Sequence, residues 1–163
     1  MRATLGALGL VLLLAVPAAA AEWGEIKPGV TTQAEVRARY GAATRTTPQK
    51  VEGYDTQQWL YEAAQAPAGI TKLIVDFGLL TPSGYKPELV RAFRLEPKPE
   101  IFNRKLVVDG WGPPTRLGKE GELEFFLYEE GLLVYFSPDG NVLAMIFTPP
   151  QKIPSAPAAR PQR

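Results

Sequence analysis

The residues best suited to chemistry in this chain are aromatic and charged side chains set on apolar strands. Trp59-Leu60-Tyr61, Val75-Asp76-Phe77, Arg91-Ala92-Phe93, Phe126-Leu127-Tyr128 and Val134-Tyr135-Phe136 each interleave a large apolar body with a polar tip or a charge. That combination suits protein binding, because Trp and Tyr supply rigid contact area and a hydrogen-bonding end. Six residues are the candidate contacts: Trp59, Tyr61, Tyr128 and Tyr135 as anchors, with Asp76 and Arg91 as polar specificity groups. Catalytic and metal roles are assigned to no residue, and no cofactor is expected. The chain has neither Cys nor His, which removes thiol nucleophiles, Ser-His-Asp triads and Cys or His zinc sites. Carboxylates remain. An enzyme working through two acids drawn from Glu62, Asp76 and Glu129 is the alternative reading, and a dimerising domain that buries its aromatic face on its own copy is another. Glu122-x-Glu124 and Glu129-Glu130 read as solvated turn charges. Asp139-Gly140-Asn141 lacks the remaining ligand spacing of a calcium loop.

The elements that must carry these residues follow an internal repeat. Thr31 or Thr32 can cap a helix that Glu35 supports through a capping box and Gly41 ends. Strands are then expected at Gln57–Glu62, Lys72–Phe77 and Glu88–Leu95. The same order returns as a helix over Glu100–Trp111, closed by Gly110 and Gly112, and strands at Leu123–Tyr128, Leu132–Phe136 and Asn141–Phe147. Tyr40-Gly41 matches Trp111-Gly112, and Trp59-Leu60-Tyr61-Glu62 matches Phe126-Leu127-Tyr128-Glu129. Ala63 to Thr71 and Gly78 to Pro87 are expected to be loops. The predicted class is α+β: two tandem units, 22–96 and 97–148, each a helix with a three-stranded antiparallel meander, the helices on one sheet face.

Strand alternation sorts the second unit into two faces. Phe125, Leu127, Val134, Phe136, Val142, Ala144 and Ile146 are expected against the helices. Phe126, Tyr128, Leu133, Tyr135, Leu143, Met145 and Phe147 are expected on the opposite, partner-binding face, continued in the first unit by Trp59, Tyr61, Ile74, Asp76, Arg91 and Phe93.

The ends and the charge set the setting. Arg2, the apolar run Leu5–Val16, Pro17 and Ala18-Ala19-Ala20-Ala21 form a cleavable signal peptide over 1–21, with cleavage before Glu22. The apolar run is shorter than the roughly 20 residues of a membrane span. No cysteine is present to accept a lipid anchor, so the expected location is the periplasm or the medium. The 18 basic residues include Arg2; without it, basic and acidic residues balance at 17 each. That balance disfavours nucleic acid and polybasic membrane contacts, leaving another envelope protein as the expected partner. From Pro149 to Arg163 the chain reads as a disordered Pro/Ala-rich tail.

The spacing Ile26-x-x-Gly29-x-Thr31-x-x-x-Val36-x-x-x-Tyr40-Gly41, followed by Trp59-x-Tyr61 and an apolar strand ending in Phe77, resembles the SmpA/BamE-like superfamily. The tandem arrangement resembles the beta-lactamase inhibitor protein fold. The resemblance implies a non-catalytic envelope-assembly or protein-binding role exercised through the sheet. Two departures stand out: Gly41-Ala42-Ala43 replaces the family's Gly-x-Pro, and the lipobox cysteine is absent.

Overall fold

The computed structural model describes residues 20–151. The chain runs α1 (Gln33–Tyr40), β1 (Arg45–Val51), β2 (Tyr54–Glu62), a short 3₁₀ turn (Ala63–Gln65), β3 (Ile70–Thr81), β4 (Gly84–Pro97), α2 (Arg104–Trp111), β5 (Arg116–Glu120), β6 (Leu123–Tyr128), β7 (Leu132–Phe136) and β8 (Val142–Phe147). All eight strands join one antiparallel sheet in the order β1-β2-β3-β4-β8-β7-β6-β5.

This overturns the expected α+β class. Strands take 52% of the described residues and helices 14%, so the protein is mostly sheet with two short helices rather than two helix-plus-three-stranded units. Two strands were unforeseen, β1 (Arg-Thr-Thr-Pro-Gln-Lys-Val) and β5 (Arg-Leu-Gly-Lys-Glu). Both are sheet edges and mostly exposed, so they need no apolar alternation, and their charges and Pro48 are the usual protection of an open edge. The expected loop Gly78 to Pro87 is instead the far end of the β3–β4 hairpin, where Thr81 pairs with Gly84.

Each helix is fixed over the sheet at both ends. Thr32 caps α1 in a capping box with Glu35, and Asn103 caps α2 by accepting from the Leu106 N–H. The segment before α1 is pinned to β4 by Gly29 N–H to Val90 O (2.8 Å) and Val90 N–H to Thr31 O (2.9 Å). Val142 N–H to Phe102 O (2.9 Å) holds the segment before α2. At the other end the Tyr61 hydroxyl donates to the carbonyl of Gly41 (3.2 Å), and Tyr128 does the same for Gly112 (3.1 Å). Both glycines end their helix at positive φ, 75° and 79°, a conformation that favours Gly there.

The helices each contribute one fully buried residue, Val36 and Val107, to a single hydrophobic cluster. Its centre is the β4–β8 seam, where only Phe93↔Phe147, Arg94↔Ile146 and Leu95↔Met145 pair. There the Phe93 and Phe147 rings stack at 4.4 Å. Among the described residues no helix is long and apolar enough to cross a membrane. The expected leader lies outside the described residues except for Ala20 and Ala21; Ala21 is buried and its N–H donates to Glu130 O (2.7 Å). Of the expected tail only Pro149–Gln151 is described, and the Gln151 N–H donates to Glu129 O (3.0 Å).

Candidate functional site

Register decides which side chains share a face. Tyr61 pairs with Leu73, Leu73 with Leu95, Leu95 with Met145, Met145 with Val134 and Val134 with Phe126. All of these lie on the helix side, together with Trp59, Phe93, Phe147 and Tyr128. Trp59 (8% exposed), Tyr61 (0%) and Tyr128 (3%) are therefore core residues, and their rings present no surface to a partner. This corrects their expected place on the binding face. Burial raises the phenol of Tyr61 to about 12 and also pushes Tyr128 up.

Asp76, Arg91 and Tyr135 fall on the opposite face, which neither helix covers. One unbroken row there crosses the whole sheet: Arg45, Leu60, Ile74, Arg94, Ile146, Leu133, Leu127 and Arg116. Seven strand spacings make it roughly 34 Å long. Leu60 and Ala144 are buried yet stand outside the main cluster; cross-strand neighbours on the open face shield them. The row is apolar except at its two ends and its middle, where Arg94 donates to Glu96 (3.1 Å).

The second half of this face is the greasier one. Phe125 meets Tyr135 edge-on at 6.1 Å, and the Phe125 ring lies across Gly118 on edge strand β5, where an added Cβ would sit 2.3 Å from Cζ. The Tyr135 hydroxyl donates to Glu120 (2.6 Å), and that carboxylate is the main cause of its raised phenol pKa. In the first half the polar groups gather around Asp76. Its Oδ1 accepts from Gln58 Nε2 (2.8 Å), while Arg91 Nη2 stands 3.9 Å away.

Several open-face residues were expected in the core. Phe125, Leu127, Ala144 and Ile146 lie opposite the helices, whereas Phe126, Tyr128, Met145 and Phe147 lie beneath them. The missed signal was loop length. The three-residue turn Glu129-Glu130-Gly131 sets Tyr128 opposite Leu132, so even-numbered residues of β6 and β7 share a face. An irregularity between Tyr135 and Phe136 then moves the β8 pairing by one, leaving Leu143 exposed.

The two acids of the alternative enzyme reading are not brought together either. Gln58↔Asp76 and Glu62↔Lys72 place Asp76 and Glu62 four residues apart along paired strands, and Glu129 lies in the turn after β6.

Fold and site together define a mostly antiparallel sheet protein with one helix-covered face and one open face. No family model matches the chain, and no curated protein does. Among solved structures it is similar to a DUF4309 family protein, YjgB, from Bacillus subtilis subsp. subtilis str. 168. That likeness has 11% identity and a TM-score of 0.47, covering 77% of this chain and 82% of that one. The resemblance to the SmpA/BamE-like superfamily and to the beta-lactamase inhibitor protein fold is corrected: no family model matches the chain, and its eight strands form one continuous sheet rather than two units.

Proposed function

We propose that the mature chain is an exported, non-catalytic protein-binding module that engages another envelope protein through the open face of its sheet. The apolar cross-strand row carries this reading. Ile74 on one side of Arg94, and Ile146, Leu133 and Leu127 on the other, have no helix over them, and an apolar stripe set among charges is the usual composition of a protein contact surface. The rim supplies both signs, through Arg45, Arg116, Asp76 and Glu120, which favours register over bulk attraction. The net charge of only +1 over the whole chain supports a protein partner over nucleic acid.

Photo-crosslinking in the native host tests it. A photoreactive residue at Ile74 or Leu133 is expected to give one discrete adduct, and the same residue at Lys105 on the exposed side of α2 none. Absence of adducts from every open-face position, or the same adduct from Lys105, overturns the proposal. An adduct of twice the chain's mass would assign the face to a second copy instead.

A further inference from the structure

At the far end of the open face the β1–β2 and β3–β4 hairpins frame a cavity of about 320 Å³. Gly78 is among its lining residues. Gly78 sits at φ +83°, and an added Cβ would lie 2.2 Å from the Tyr85 hydroxyl and 2.6 Å from that of Thr56. One wall is the pair Tyr54 and Tyr85, stacked at 4.3 Å, and Leu80 opens beside it. Tyr54 and Leu80 are 42% and 52% exposed, so this end presents apolar surface to an incoming group.

The two hydroxyls that crowd Gly78 are already engaged. The Tyr85 hydroxyl donates to Asp55 O (2.9 Å) and the Thr56 hydroxyl to Phe77 O. Arg91 makes no such bond. Its Nε is the buried side-chain polar atom without a partner among the described residues, and its nearest anion, Asp76, is beyond hydrogen-bond reach at 3.9 Å and holds Gln58 instead. A buried guanidinium nitrogen without an acceptor is costly, and a shift of the side chain that brings it against an occupant's acceptor removes the cost.

We propose that this cavity receives a carboxylate carried on an apolar residue of the bound partner, with Arg91 as the group that grips it. The proposal rests on the open face being a protein-binding surface and names the chemistry recognised at one end of it. Arg91 lies beside Ala92, which pairs with Asp76, and Asp76 follows Ile74 by two residues on β3. An extended segment running along β3 and β4, across the row at Ile74, would therefore reach Arg91 with its next residues. A planar fork suits a carboxylate, which it can hold through two parallel bonds. Asp76 and Glu52, the latter on the cavity's rim, are the competing anions. Both should weaken binding.

The test is an NMR titration of the folded chain with small carboxylates, read at the Gly78 amide and the Arg91 Nε–H. N-acetyl-leucine probes a C-terminal carboxylate, the α-amide of N-acetyl-glutamate probes a side-chain one, and N-acetyl-leucinamide is the control. Saturable shifts are expected with N-acetyl-leucine and none with the control, and a response to the glutamate amide alone overturns the apolar-residue assignment. Arg91→Gln should weaken binding ~10-fold or more, as loss of a charged hydrogen-bond partner implies. Asp76→Asn and Glu52→Gln should each strengthen it; these two keep the test decisive if Arg91→Gln folds poorly. Equal shifts from acid and amide, or binding indifferent to all three substitutions, overturns the assignment. Carboxylate binding here without crosslinks from Ile74 or Leu133 would instead keep this site and remove the wider reading of the face.

Discussion

Phe147 and Ile146 are neighbours in sequence, point to opposite faces of β8, and provide the sharpest check on which face is the core. Phe147 is fully buried, stacks on Phe93 at 4.4 Å across the β4–β8 seam, and lies 6.2 Å from the Trp111 ring. Truncating a buried Phe to Ala costs about 3–5 kcal/mol. The upper part of that range applies here, because strands on both sides of Phe147 are held by ladder pairs to Phe93 and Leu132 and cannot close the cavity. With a urea slope of roughly 2 kcal/mol per molar, Phe147→Ala should lower the unfolding midpoint by about 2 M. Ile146 is only half-buried on the open face, so Ile146→Ala should cost about 1 kcal/mol, or roughly 0.5 M at the same slope. Urea titrations followed by far-ultraviolet circular dichroism measure both. Equal losses from the two substitutions, or a Phe147→Ala loss below about 1.5 kcal/mol, well under the buried-Phe range, would refute the face assignment and restore the alternation-based one.

Thr32→Ala should destabilise by about 1 kcal/mol through loss of the α1 cap. Hydrogen bonds from the Thr32 backbone and hydroxyl hold the Glu35 carboxyl below its ordinary 4.5; its support is thus present above pH 4.5 and lost as pH falls through the lowered value, and Thr32→Ala, which keeps the larger backbone bond, should reduce that acid limb of the urea midpoint only in part. Tyr61, raised to about 12 by burial, should be the last phenol to titrate by ultraviolet difference absorbance, and Tyr61→Phe should remove that final step. Because the unfolded phenol ionises near its ordinary 10.0, stability should fall as pH rises from there toward 12. Gly118→Ala should displace the Phe125 ring, which meets the new Cβ at 2.3 Å; a side chain yields more readily than backbone, so the expected cost is only about 1–2 kcal/mol, with an altered near-ultraviolet spectrum as the Phe125–Tyr135 contact changes.

Some features could be read directly along the chain because their causes are local. The α1 cap at Thr32, its Glu35 partner and the glycine stop at Gly41 act within a few residues of one another, and each occupies the expected place. The core spans Leu132 to Phe136 and Leu73 to Phe77 were also legible, since an apolar strand needs only its own composition to be recognised. The edge strands were not. β1 and β5 carry little apolar alternation because they bury little, and only pairing with β2 and β6 makes them strands.

The candidate site divides on the same principle. Composition alone determined that cysteine and histidine chemistry are absent, that the charges balance, and that aromatic and charged residues alternate on strands. It could not say which alternate set faces the helices, because both faces of β6, β7 and β8 are apolar and a one-residue slip exchanges them. That choice was made by the three-residue turn before Leu132, the irregularity after Tyr135 and the β4–β8 seam, all of them properties of pairing between distant segments. They sent Trp59, Tyr61 and Tyr128 into the core and left Asp76, Arg91 and Tyr135 on the open face. Only in the assembled sheet does Arg91 come to lie at a cavity with no acceptor for its Nε.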